Sequence, residues 1–233
     1  MGVSICIASG KGGVGKSTIA ASLGIALSKL GIKTIVVDGD VEGTSLGSLI
    51  GLDTSVPSLH DCLSGKIGMD DAIIDFGGGS FIVGGIQIEK LRDIDLKGIK
   101  KVIDELTKEY EVVLVDCPPG LGNDAVTVIS SCATMLLVVT PDIMSIVNAL
   151  KTVVVAKRVG CTIVGVLINK GGSEYDIPDT HISTVLGIDI IEKLKEDEEV
   201  KEALNLGKPI ILHNPDSQFS LKIMEVAANL VGK

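Results

Sequence analysis

A chain of 233 residues is long enough to fill one sizeable α/β core. Its composition, 45% hydrophobic with 28 glycines and 2% aromatic residues, suits aliphatic strands joined by tight turns in a parallel sheet buried on both faces. A net charge of −9 argues against non-specific nucleic-acid binding, and its apolar runs fall far short of a bilayer-spanning length.

The first strand is expected at residues 3–8, followed by a glycine-rich turn and a helix over 16–30. Ile19, Ala20, Leu23, Ala26, Leu27 and Leu30 recur at helical spacing there, and Gly31 stands where a left-handed cap is expected. A second strand over 34–37 ends in Asp38. Residues 41–85 are less regular, with short helices expected at 45–50 and 58–63 and a strand at 81–83. Helices are then expected at 96–108, 124–131 and 143–159, and strands at 112–115, 135–139 and 163–168. A short strand at 188–190 and a helix over 217–231 complete the pattern. Aliphatic strands alternating with helices imply right-handed crossovers, hence a mainly parallel sheet flanked by helices on both faces. The expected organisation is one domain over residues 1–233. Cys6, Cys62, Cys117, Cys132 and Cys161 form no CxxC pair and read as reduced thiols in or near strands. The N-terminus enters an apolar strand at once, leaving no room for a signal peptide; the expected location is cytoplasmic, with peripheral contact at a membrane as the alternative.

The chemistry concentrates after the first strand. Gly10, Lys11, Gly12, Gly13, Val14, Gly15, Lys16 and Ser17 fit the phosphate-binding pattern GxxxxGK[ST] between a strand and a helix. Glycines let successive backbone N–H groups turn toward phosphate oxygens, and the helix N-terminus adds partial positive charge. Lys16 is expected to reach the β- and γ-phosphates, Ser17 to ligate Mg²⁺, and Thr18 to bond the α-phosphate. Lys11 places a second ammonium group beside the site. Asp38 and Asp40 follow a parallel strand at the end where ligands gather, so they can hold magnesium waters or orient an attacking water. The apolar strand ending in Asp116 supplies a third acid, expected to contact Mg²⁺ through a water. Cys117, Pro118, Pro119 and Gly120 then combine two stiff prolines with a free glycine in one loop. Asn169 and Lys170 end a late strand, but Gly172 stands where a guanine-reading Asp would be, which favours ATP over GTP.

The double-lysine loop resembles the deviant P-loop of the MinD/ParA class, and the similarity extends along essentially the whole chain through Leu59-His60-Asp61, Gly120-Leu121, Thr140-Pro141-Asp142 and Gly207-Lys208-Pro209. The resemblance implies a three-layer P-loop NTPase fold, ATP and Mg²⁺ as ligands, and slow, partner-regulated hydrolysis. It also implies a homodimer formed on ATP, in which Lys11 crosses to the other subunit's phosphates, and an unidentified protein partner. It matches Asp38 to Mg²⁺ and water, Asp40 to hydrolysis, and Asn169 to adenine. The segment from Gly207 to Asn214 is expected near the base. Two departures limit it. The last helix carries Phe219, Ile223, Val226, Ala227 and Leu230 on one face with Lys222 and Glu225 as its charges, so it reads as a docked core helix and not a basic membrane anchor. After Pro141 the chain has Asn148-Ala149-Leu150-Lys151 in place of the Asp and Arg of inhibitor-binding relatives. Other readings are a DNA-partition ATPase, which the acidic balance disfavours, an iron–sulfur carrier, for which Cys117 and Cys132 lack a ligand spacing, and a small-molecule ligase, which needs no second lysine.

Overall fold

A computed structural model describes residues 2–40, 43, 45–52, 55–85 and 96–233. Among the described residues, eight strands form one sheet in the order β3-β4-β2-β5-β1-β6-β7-β8. They are β1 Val3–Ala8, β2 Thr34–Asp38, β3 Ile74–Phe76, β4 Gly79–Ile82, β5 Val112–Asp116, β6 Thr134–Val139, β7 Thr162–Gly171 and β8 Ile190–Lys195. All neighbouring pairs are parallel except β3–β4. The helices are α1 Lys16–Lys29, α2 Ser45–Leu49, α3 Leu59–Leu63, α4 Ile99–Glu109, α5 Asn123–Ser131, α6 Ile143–Val159, α7 Asp179–Leu186, α8 Glu198–Asn205, α9 Ile210–His213 and α10 Gln218–Leu230.

Alternation along the strands builds two cores. In β1, Cys6 and Ala8 face the layer that includes α4, α5, α6 and α7, while Ile5 and Ile7 face α1 and α10. β5 does the same, with Val113 and Val115 on one side and Leu114 on the other. α1 is buried on nearly its whole circumference between the sheet and α10, so it is apolar all round and not amphipathic. Gly24 permits this close packing, because a Cβ there would lie 2.2 Å from Val36 Cγ2.

Chain order reverses at β1: β2 lies on one side of it beyond β5, and β6, β7 and β8 run outward on the other. Ligand clefts open at such a switch point, beyond the C-terminal ends of the strands.

Five elements differ from the sequence expectation, among them the short strand β3 and the one-turn helix α9, which it lacked. The last strand starts later than 188–190 and runs to Lys195; it is an edge strand whose charged alternation, Glu192, Lys193 and Lys195, hides it from an apolar count. α7 and α8 have no counterpart in the sequence pattern. Pro178 before α7 and Gly187 in the left-handed conformation after it, and Asp197 capping α8 ahead of Glu198 and Glu199, are the signals that would have found them.

Candidate functional site

The loop of residues 9–15 leaves the central strand and enters α1 directly. Ser9 Oγ donates to the Lys11 carbonyl at 2.7 Å, tightening the turn. Gly13 and Gly15 take φ of 78° and 96°, the left-handed region that favours glycine. Gly10 lies so close to α6 that a Cβ would stand 2.2 Å from the Asn148 carbonyl carbon. Lys16, Ser17 and Thr18 follow at the first turn of α1, and all three line a cleft of about 470 Å³ together with Gly13 and Gly15.

β2 and β5 are parallel neighbours in which Asp38 pairs with Asp116, so two carboxylates stand side by side at the strand ends. Both are buried. Asp38 accepts from the Asp40 N–H at 3.1 Å and from the Leu46 N–H of α2 at 3.4 Å; Asp40 in turn accepts from the Gly43 N–H at 3.0 Å. Burial, and then the charge of Asp116, hold the Asp38 carboxyl well above the ordinary carboxylate range. Burial likewise pushes Asp116 up to about 6, against the pull of the Ser17 hydroxyl and the Lys16 ammonium. Neither Asp116 oxygen has a hydrogen bond of good geometry, although Ser17 stands near enough to lower its pKa. Two desolvated carboxylates beside a serine hydroxyl fit a divalent cation, which relieves their burial cost. Among the described residues no three His, Cys, Asp or Glu side chains are grouped to hold a metal ion alone. That suits magnesium, which takes one or two carboxylates and keeps waters and phosphate oxygens.

Asn169 and Lys170, at the end of β7, close the cleft from the other side. Asn169 Nδ2 donates to the Val14 carbonyl at 2.8 Å and Lys170 Nζ to the Gly13 carbonyl at 2.9 Å. The far wall is formed by Lys195, Glu196, Asp197, Val200, Lys201 and Leu204, from β8 and α8. The segment from Gly207 to Asn214, expected near the base, is not among the residues lining this cleft, and its helix α9 packs against α1, α8 and α10. The wall escaped notice because the expected strand at 188–190 stopped short of Lys195 and α8 had no counterpart.

Lys11 lines a second hollow with Thr140, Pro141 and Asp142. Its ammonium sits 2.9 Å from Asp142 Oδ2 and 3.1 Å from Oδ1. Asp142 also caps α6 by accepting from the Ser145 N–H at 2.9 Å, and it accepts from the Thr140 hydroxyl. The burial of Asp142 raises its pKa, but the Thr140 and Lys11 hydrogen bonds outweigh this and lower it. From Asp142 outward, Ile143, Val147, Leu150 and Val154 form an exposed apolar seam at alternating four- and three-residue spacing along α6, with Ile143 69% exposed. Pro119 faces Gly12 across the loop after β5, and Cys117 is buried with its thiol 3.7 Å from the Ala125 carbonyl. His60 is buried within α3, its N–H donating to the Gly84 carbonyl, as a structural residue would be.

Residues 5–210 match the model of the CobQ/CobB/MinD/ParA nucleotide binding domain. The chain belongs to this family. An uncharacterised ATP-binding protein of Methanocaldococcus jannaschii is 36% identical over all of this chain and 89% of its own length. Among solved structures, the septum site-determining protein MinD of Pyrococcus horikoshii, complexed with Mg-ADP, superposes with a TM-score of 0.94 at 32% identity, covering 99% of this chain and 96% of that one. A MinC:MinD cell division protein complex of Aquifex aeolicus contains a chain 26% identical to this one, with a TM-score of 0.88 over 99% of this chain and 96% of its own. The MinD/ParA family assignment and the three-layer P-loop fold agree with the motif reading of residues 10–17. Among the described residues no helix is long and apolar enough to cross a membrane.

Proposed function

We propose that the chain, acting as one domain, is a MinD-like ATP- and Mg²⁺-dependent switch that closes into a homodimer on ATP and reopens on slow hydrolysis. The observation that carries this reading is the pairing of a two-lysine phosphate loop with the buried Asp38–Asp116 carboxylates across the strand ends. The Mg-ADP held by the Pyrococcus horikoshii MinD supports the ligand.

In this reading the N–H groups of the loop and Lys16 hold the β- and γ-phosphates, and Thr18 holds the α-phosphate. Ser17 and Asp38 would hold magnesium, with Asp116 acting through a water; the ion supplies charge neutralisation across the β- and γ-phosphate oxygens. Asp40 orients the attacking water. The cleft wall from Lys195 to Leu204 receives the base beside Asn169. Little covalent chemistry is asked of the protein; positioning and electrostatics carry the reaction.

Lys11 exchanges its Asp142 pair for the phosphates of the second subunit. The pair is part-exposed at 34% and 46%, so giving it up costs on the order of 0–1 kcal/mol. Such a weak latch leaves the lysine available. The exposed seam of α6, beginning beside this pair, supports recruitment of a protein partner to the closed form, and the MinC:MinD complex is a precedent in a relative.

Size-exclusion chromatography of the hydrolysis-impaired Asp40→Ala variant tests the switch. ATP should shift it from monomer to dimer and ADP should not; a monomer at every accessible concentration with ATP would reject the reading.

A further inference from the structure

Among the described residues, Lys170 is the one non-glycine with a positive φ, 58°. A backbone in the left-handed region costs a lysine energy and persists only where the surroundings fix it, and such outliers gather at functional sites. The fixing is visible. The Gly171 carbonyl accepts from the Glu196 N–H at 2.8 Å, and the Gly172 N–H donates to Asp176 Oδ2 at 2.7 Å. Asp176 is held in turn by Lys193 at 3.1 Å. The loop after β7 is clamped, and the strained residue within it directs its ammonium onto the Gly13 carbonyl.

What that contact accomplishes follows from amide geometry. In a planar trans peptide the C=O and the N–H point in opposite directions. Lys170 draws the Gly13 carbonyl toward β7, which turns the N–H of Val14 the other way. Asn169 draws the Val14 carbonyl in the same direction, which turns the N–H of Gly15 the other way. Two consecutive donors are thereby aimed across the loop from β7. Gly15 must lack a side chain for the second brace to reach, since a Cβ there would stand 2.4 Å from Asn169 Nδ2.

We propose that Lys170 is a positioning residue which, with Asn169, pre-sets two successive peptide planes of the phosphate loop so that the Val14 and Gly15 N–H groups face the incoming phosphates. This rests on reading the loop as a nucleotide site. It assigns to the pair a role besides any contact with the base: the cradle is shaped before the ligand arrives, so binding does not have to supply the ordering. The rival role for an exposed lysine at this place is direct charge attraction to the triphosphate. The two differ in which nucleotide they favour. A brace on the loop helps every nucleotide carrying a β-phosphate, whereas a direct cation gains most from the γ-phosphate.

The test compares Mg-ADP and Mg-ATP affinities by calorimetry, and the melting temperature of the ligand-free chain, in Lys170→Met, Lys170→Gly and Lys170→Arg. The Met and Gly variants should lose about tenfold in affinity for both nucleotides, the size expected for one charge-assisted hydrogen bond, and Arg should recover most of it. The Gly variant should melt no lower than the wild type, because it sheds the left-handed strain. Unchanged affinities for both nucleotides would overturn the proposal, and so would a loss confined to ATP. A similar fall in melting temperature in all three variants, Arg included, would mark Lys170 as merely structural and overturn it too. Wild-type protein that binds neither nucleotide would overturn the nucleotide-site reading itself, whereas wild-type binding with indifferent variants refutes this inference alone.

Discussion

Replacing Asp116 with Asn should stabilise the ligand-free chain near neutral pH. Asp116 is 1% exposed and its carboxyl is pushed up to about 6 by burial, with the Asp40 charge adding to the rise and Lys16 and Ser17 opposing it. An acid whose pKa is higher folded than unfolded makes the native state hold its proton more tightly. Its contribution therefore favours folding at low pH, declines as pH rises from about 4 to about 6, and stays lost above that. The gap to the ordinary carboxylate value corresponds to about 3 kcal/mol of native-state cost for the ionised form. Asn keeps the shape and removes the charge, and it also relieves Asp38, whose own carboxyl is raised partly by Asp116. For a chain of 233 residues, about 3 kcal/mol amounts to a rise of roughly 6–10 °C in melting temperature. Thermal melts at about pH 5 and about pH 7.5 without magnesium should show the variant gaining most at the higher pH, with a flatter pH response throughout. If the Asp116→Asn variant melts lower than the wild type at neutral pH, or keeps the same pH slope, burial is not what governs this carboxyl and the magnesium argument loses its basis.

Gly10→Ala should cost roughly 1–3 kcal/mol in denaturant melts and weaken nucleotide binding, because the new methyl would stand 2.2 Å from the backbone of α6. Asp142→Asn keeps a good helix cap but removes the negative charge that holds Lys11; urea titration should register a loss of under about 1 kcal/mol, while ATP-driven dimerisation strengthens in light scattering. Equilibrium competition should favour ATP over GTP by about tenfold or more, since the chain carries Gly172 where a guanine-reading carboxylate would be.

The phosphate loop was legible because its chemistry is local: glycines, two lysines and a serine within eight residues, between an apolar strand and a helix, determine one turn. The central strands were legible for the same reason, as short aliphatic runs ending in Asp38 and Asp116. What escaped depends on distant pairing. Lys11 meets Asp142 across 131 residues, and Lys170 meets Gly13 across 157; nothing in the immediate neighbourhood of either lysine announces its partner. The far wall escaped differently, since β8 is a charged edge strand and α8 is a short, largely exposed helix whose apolar face is only Val200, Ala203 and Leu204.

The contact at Gly10 ties two parts of the molecule that would otherwise be independent. With no space for even a methyl group between the loop and the backbone of α6, a tilt of that helix has to be followed by the cradle, and a filled cradle restrains the helix. In the proposed switch, a protein docking on the outer seam of α6 would therefore act as a lever on nucleotide affinity. Reciprocity then requires the bound nucleotide to grade, by the same factor, how tightly that protein holds on.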